Sequence, residues 1–106
     1  LNIRSAEIRN EQAKQQLKTD IQRAISNARA AERQYRAAEG TYKASLAAFE
    51  NSEKRYKIGA LSTFDFNTAR NTLETSEVEV TLAKYDYIFK LKVVDFYEGK
   101  KLTINK

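Results

Sequence analysis

The stretch that decides the fold is residues 55–65, which read Arg55-Tyr56-Lys57-Ile58-Gly59-Ala60-Leu61-Ser62-Thr63-Phe64-Asp65. Gly59 is suited to a positive φ and so to ending a helix. Ser62 is suited to capping the first free N–H groups of a following helix, and Asp65 three residues later makes a capping box with Asp in the usual Glu position. Ile58 and Leu61 flank the glycine and can close an apolar seam. These residues predict a tight turn over 58–62 between two helices.

On the N-terminal side of the turn, one seam repeats with alternating steps of four and three residues. Its members are Leu17, Ile21, Ala24, Ala28, Ala31, Tyr35, Ala38, Tyr42, Ser45, Phe49, Ser52 and Tyr56. The register holds for about six heptads, which is typical of a coiled coil. Small residues alternate with large ones, and this favours close packing against an antiparallel partner. We predict a helix over about 2–57, with Gly40 tolerated inside it at a cost of about 1 kcal/mol.

On the C-terminal side, two seams predict a second helix over about 63–98. The first seam comprises Phe66, Ala69, Leu73, Ser76, Val80, Ala83, Tyr87, Leu91 and Val94, with one slip near Lys90. The other, predicted on an adjacent face, comprises Val78, Leu82, Tyr85, Phe89, Val93 and Phe96. A helix that meets only its hairpin partner needs one seam, so the second seam predicts a neighbour outside this hairpin. The alternative is a wide face in a single-domain bundle, for which this chain supplies only two helices.

The remaining features set the ends of the hairpin. The chain has no Pro and three Gly, which favours long helices. Gly99 is predicted to end the second helix, and residues 99–106 to form a short strand or a loose tail. The second helix is then expected to reach only about Gln22, leaving the first twenty or so residues without a partner. The predicted fold class is all-α, a single long antiparallel coiled-coil hairpin. Because the chain begins with Leu1, we expect it to be a fragment of a larger protein.

The composition argues against an enzyme. The chain has no His and no Cys, and it has no Gly-rich phosphate loop. Its carboxylates do not have the spacing of a metal site. We therefore predict no catalytic residue, no metal and no cofactor.

The charge distribution argues against nucleic-acid binding. The net charge is +5, with 12 basic and 7 acidic residues in 1–57 and seven of each in 58–106. The basic residues are dispersed singly and interleaved with Glu, which favours a solvated helix face over a clustered nucleic-acid surface.

The turn and the residues after it resemble those of TolC-type outer membrane efflux proteins. The resemblance lies in the pattern Arg-Tyr-x-x-Gly-x-x-Ser-x-x-Asp over 55–65, in Ala69 and Leu73, and in the run Ala83-Lys84-Tyr85-Asp86-Tyr87. Tyr97-Glu98-Gly99 is similar to the end of a short helix in that family. Helix, turn, second helix and Gly99 together cover nearly the whole chain.

The resemblance implies a periplasmic tunnel segment of an efflux or export channel. In that family, helical hairpins from three chains form an α-barrel, so a homotrimer of the parent protein is expected. The tip, residues 58–65, is expected to form the entrance and to dock a periplasmic adaptor and an inner-membrane pump. The implied location is the outer membrane, in its periplasmic portion, with the parent protein reaching the membrane through a β-barrel absent from this fragment. Substrates would pass through without chemical change.

Three tip residues are candidates for the entrance or for partner docking: Tyr56, Leu61 and Asp65. Asp65 matches a position where some family members place an acidic ring that attracts cations, and its alternative role is the helix cap. Some members have a second acid where this chain has Thr68, and a basic residue where it has Leu61, so a Leu61 contact would be apolar. Tyr56 is alternatively the last large residue of the seam.

A second function class stays open: a periplasmic adaptor-type or purely structural coiled-coil hairpin. Adaptor hairpins have arms of equal length and flanking β segments. The arms are predicted to differ by about twenty residues, which favours the channel. The two seams on the second helix favour it as well.

Overall fold

The computed structural model describes residues 2–104 as an all-α chain of two long helices joined by one short turn. The first helix, α1, spans Asn2–Lys57, and the second, α2, spans Thr63–Ile104. Within the described range no residue is in a strand. The predicted all-α class is confirmed at the level of a helical hairpin, and assembly into an α-barrel stays a prediction.

The chain divides into two compact units, which we describe separately. The turn unit is Glu32–Asp86, and the terminal unit combines α1 up to Ala31 with α2 from Tyr87 onward. Both units contain a segment of each helix, so each has its own helix–helix packing.

In the turn unit, the predicted seams are the buried faces. On α2, Phe66 and Ser76 are buried, and Ala69, Leu73, Val80 and Ala83 are half-buried. On α1, the seam residues from Tyr35 to Ser52 are half-buried. Ser76 is accommodated because its hydroxyl donates to the Leu73 carbonyl at 2.9 Å, so that no polar atom is left unpaired by burial. Two helices that share one seam bury few residues completely, and this explains the predominance of half-buried positions.

In the described part of the terminal unit, the buried residues are one leucine and three alanines of the α1 seam. Leu17, Ala24, Ala28 and Ala31 are buried. The predicted slip of the α2 seam from Lys90 to Leu91 is wrong. Lys90 is half-buried and Leu91 is exposed, so the steps of three and four continue without a break. A Lys side chain can occupy a seam position because its methylene stem packs while its ammonium group reaches water.

The predicted end of the second helix at Gly99 is wrong. Helix α2 continues through Gly99 to Ile104, and the Thr103 hydroxyl donates to the Gly99 carbonyl at 3.2 Å. Residues 102–104 are helical rather than part of a strand or loose tail, and residues 105–106 lie outside the described residues. A glycine costs a helix only about 1 kcal/mol, so a single glycine does not by itself end one.

The longer α2 also corrects the predicted overhang of α1. Lys101 lies beside Leu17 and Ile21 around a shallow cleft, so α2 passes the level of Gln22. Leu17 is buried, whereas residues 3–16 are exposed throughout. The unpartnered part of α1 is therefore shorter than predicted.

Candidate functional site at the turn and on the second helix

The turn is closed by main-chain hydrogen bonds that form a Schellman motif. Gly59 has a φ of 76°. Its N–H donates to the Tyr56 carbonyl at 3.0 Å, and the Ala60 N–H donates to the Arg55 carbonyl at 2.8 Å. These are the two bonds that satisfy the last carbonyls of a helix when a left-handed residue follows it. Gly59 is required for its conformation alone, because an added Cβ would meet no atom within 4 Å.

The first turn of α2 is capped by Ser62. The Ser62 hydroxyl accepts a hydrogen bond from the Asp65 N–H at 3.1 Å, and the Phe66 N–H donates to the Ser62 carbonyl at 3.0 Å. The cap thus uses the main chain of Asp65, and the Asp65 side chain is exposed. A carboxylate in the first turn of a helix is favoured by the helix dipole, whatever else it binds.

An aromatic cluster behind the turn joins the two helices. The Phe66 ring stacks on Tyr56 with centroids 4.5 Å apart and lies 5.6 Å from the Phe49 ring. The Arg70 guanidinium lies over the Phe66 ring, 5.0 Å from the ring centroid. The Tyr56 hydroxyl is 3.3 Å from the Thr63 hydroxyl. Of its two suggested roles, Tyr56 clearly performs the packing role, and 37% of its surface stays accessible for a partner.

The most accessible apolar side chains at the tip are Ile58 and Phe64, which are 79% and 78% exposed. Leu61, the apolar residue proposed for the entrance, is half-buried. Phe64 was missed in the sequence because it belongs to neither seam of α2. Its position could have revealed it: two residues before the buried Phe66 on a helix, it must point to the opposite side.

A row of exposed apolar residues follows the outer face of α2. In the turn unit it comprises Val78, Leu82 and Tyr85, which are 58%, 65% and 65% exposed, and in the terminal unit Phe89 and Phe96 are also exposed. We call these five residues the outer row. The face is not adjacent to the seam, as predicted, but nearly opposite it, because residues two apart on a helix point about 200° apart. The outer row has no cover within the described part of its own units.

A polar cleft lies between the helices in the turn unit. Hydroxyl and amide side chains line it, from Thr41 and Ser45 of α1 and from Thr68, Asn71, Thr72, Thr75 and Ser76 of α2, with Glu79 at one side. The cleft is open and holds about 330 Å³. Ser45 and Ser76 are seam positions, so the cleft interrupts the apolar seam at a level where the small residues predicted close packing.

Two further properties of residues 2–104 bear on function. No group of three or more acidic, His or Cys side chains is placed to hold a metal ion. Neither helix contains, in that range, an apolar segment of the length that crossing a bilayer requires.

We compared the chain with protein-family models, with curated proteins and with solved structures. None of these three comparisons found a match.

Proposed function

We propose that the chain is a segment of the periplasmic wall of a trimeric outer-membrane efflux or export channel, with residues 58–65 at the tunnel entrance. The observation that carries the proposal is the outer row. Helix α2 is apolar on two nearly opposite sides, and one of these sides is exposed. A helix in the wall of a helical barrel has a neighbour on each side, and this arrangement would cover both apolar faces.

The energetic argument rests on the size of the exposed side chains. Burying one large apolar side chain contributes about 1.5–3 kcal/mol. Val78, Leu82 and Tyr85 stand one helical turn apart, so a straight neighbouring helix can contact all three at once. Contiguous apolar surface of this kind marks an interaction site more often than isolated apolar residues do.

The tip supplies the second part of the proposal. Ile58 and Phe64 are apolar and exposed, and the turn between them is held by the two main-chain hydrogen bonds of the Schellman motif and by the Ser62 cap. Asp65 adds an exposed carboxylate beside them. In the proposed function, these three residues meet the periplasmic adaptor and the inner-membrane pump, while Tyr56 holds the tip in shape.

The second candidate function is a periplasmic adaptor-type or structural coiled-coil hairpin. The arms of the hairpin are 56 and 42 residues long, so they are closer in length than the sequence predicts. Arms of similar length favour the adaptor-type hairpin. We prefer the channel wall as the function, because a solitary hairpin leaves the apolar side chains of the outer row exposed to water.

The test uses Gram-negative cells that produce the protein carrying this chain. We expect Leu82→Glu to raise the accumulation of ethidium, because a buried carboxylate would separate the wall helices. Lys84→Glu is the control, since Lys84 is exposed and outside the outer row. Both variants are compared at equal protein amounts, measured by immunoblot.

Density-gradient separation of the membranes distinguishes the two candidates. A channel segment is expected with the outer membrane, and an adaptor with the inner membrane. Normal ethidium extrusion by the Leu82→Glu protein would contradict the wall proposal.

A further inference from the structure

The outer row is bordered by acidic residues in the turn unit. Glu74 lies one helical turn before Val78, and Glu79 lies three residues before Leu82. Both glutamates are exposed. A partner for this surface therefore needs room for large apolar side chains and positive charge at the edge.

Helix α1 offers such a surface within the same unit. Ala37, Gly40 and Ala44 are exposed and follow one another at steps of three and four residues, so they share a face. An added Cβ at Gly40 would meet no atom within 4 Å, so contacts inside this chain do not require the glycine there. Small residues leave a shallow path along the helix into which large side chains can pack.

Positive charges border this small-residue face of α1. Arg33 and Arg36 lie four residues before Ala37 and Gly40, and Lys43 lies three residues after Gly40; all three are exposed. Arg36 is already paired with Glu32 at 2.6 Å, and its side chain is still 74% exposed. Arg33 and Lys43 beside the α1 face are thus opposite in sign to Glu74 and Glu79 beside the outer row.

The two faces also lie at matching heights along the turn unit. Thr41 and Ser45 of α1 line one cleft with Thr72 and Ser76 of α2, which places residue 41 near the level of 76 and residue 45 near the level of 72. By the same antiparallel relation, Lys43 is level with Glu74, and Gly40 is nearly level with Val78.

From this complementarity we infer that the outer row on α2 of one copy docks on the Ala37–Gly40–Ala44 face on α1 of a second copy. The two copies stand side by side with their turns at the same end, so that Val78 meets Gly40 and Glu74 meets Lys43. The inference deepens the proposed function and rests on it for the common direction of the turns. The interface is heterologous, because it joins two different faces, so that each copy can bind one neighbour on either side.

The test is a charge exchange in the 106-residue chain, followed by sedimentation equilibrium at low ionic strength, where surface charges are weakly screened. Lys43→Glu and Glu74→Lys each place like charges opposite one another. Each variant alone is expected to associate about three- to tenfold more weakly than the unaltered chain. An equimolar mixture of the two variants is expected to recover association, and so is the double variant.

A second substitution tests the apolar part of the interface. Leu82→Glu is expected to weaken association by about tenfold or more. Leu102→Glu is the matched control, since Leu102 is a leucine of the same helix with similar exposure (69% against 65%) outside the outer row, and it is expected to leave association unchanged. Circular dichroism of each variant checks that the helices are intact.

Three outcomes would overturn the inference. The first is that Lys43→Glu leaves self-association unchanged while Leu82→Glu weakens it, which would mean that the outer rows of two copies pack against each other. The second is that the equimolar mixture of Lys43→Glu and Glu74→Lys associates no more strongly than either variant alone. The third is that the unaltered chain is monomeric at every concentration. None of these results bears on ethidium extrusion, so a channel wall built with a different hairpin as neighbour would fail this test and still pass the cellular one.

Discussion

Replacement of Phe66 by Ala is the perturbation that most directly tests the packing behind the turn. Phe66 is the buried residue of the first turns of α2, and its ring contacts Tyr56 and Phe49 of α1. It is buried, it stacks on Tyr56 at 4.5 Å, and it lies 5.6 Å from Phe49 and 5.0 Å from the Arg70 guanidinium. The substitution removes all three ring contacts. It leaves the hydrogen bond from the residue 66 N–H to the Ser62 carbonyl in place.

The expected loss of unfolding free energy is about 3 kcal/mol. Truncation of a buried Phe to Ala costs about 3–5 kcal/mol, and the upper part of that range requires a cavity that stays empty. Tyr56 is 37% exposed, so water can enter the space on its side and reduce the cavity cost. The greater helix propensity of Ala returns at most about 0.7 kcal/mol.

Phe64→Ala provides a matched control. Phe64 is two residues away in the same first turns of α2, and it is 78% exposed. The change in helix propensity is the same in both variants, so it cancels when they are compared. We expect Phe64→Ala to change stability by no more than about 0.5 kcal/mol.

The assay is urea unfolding followed by far-ultraviolet circular dichroism, at several protein concentrations because self-association would add stability. The difference between the two variants is the quantity to compare. Equal stabilities for Phe66→Ala and Phe64→Ala would refute the packing described at the turn. So would a loss below about 1 kcal/mol for Phe66→Ala.

Three further substitutions can be measured in the same way. Gly59→Ala is expected to cost about 1–2 kcal/mol, because an L residue is strained at a φ of 76°; a neutral result would contradict the Schellman geometry. Gly99→Ala is expected to stabilise the chain by about 0.5–1 kcal/mol, because Gly99 is inside α2; destabilisation would mean that the helix ends there. Ser62→Ala is expected to cost about 1 kcal/mol through the lost cap, and Ser62→Asp to restore most of it.

The architecture near the turn was predictable because its signals are local. A glycine in the left-handed region and a hydroxyl at the cap act through main-chain groups within a few residues, and so they could be assigned without knowing the packing. The heptad steps before the turn gave the buried face of α1 for a similar reason: the period of a helix alone decides which residues share a side.

The end of α2 was not predictable in this way. Gly99 is a residue that often follows the end of a helix, yet α2 continues through it to Ile104, so the presence of a glycine alone does not decide where a helix ends. The same holds at Lys90, where the seam continues through a charged residue because its stem can pack.

The candidate site was only partly predictable. Residues 58–65 were found from their pattern, yet the accessible apolar side chains proved to be Ile58 and Phe64, whereas Leu61 is half-buried. Phe64 could have been assigned from the helix period, because it lies two residues before Phe66 on α2. The exposure of Ile58 and Leu61 depends on the path of the chain through the turn, and hydropathy does not contain that information.

The closure of the turn by main-chain bonds and one serine hydroxyl has a consequence for how such a hairpin can diversify. Because residues 58, 60 and 64 take no side-chain part in that closure, a lineage could exchange them freely while the path of the backbone stayed constant. Recognition by a new partner would then evolve without a prior loss of folding. The same separation makes these three positions the natural places at which to graft an affinity tag or a foreign binding loop.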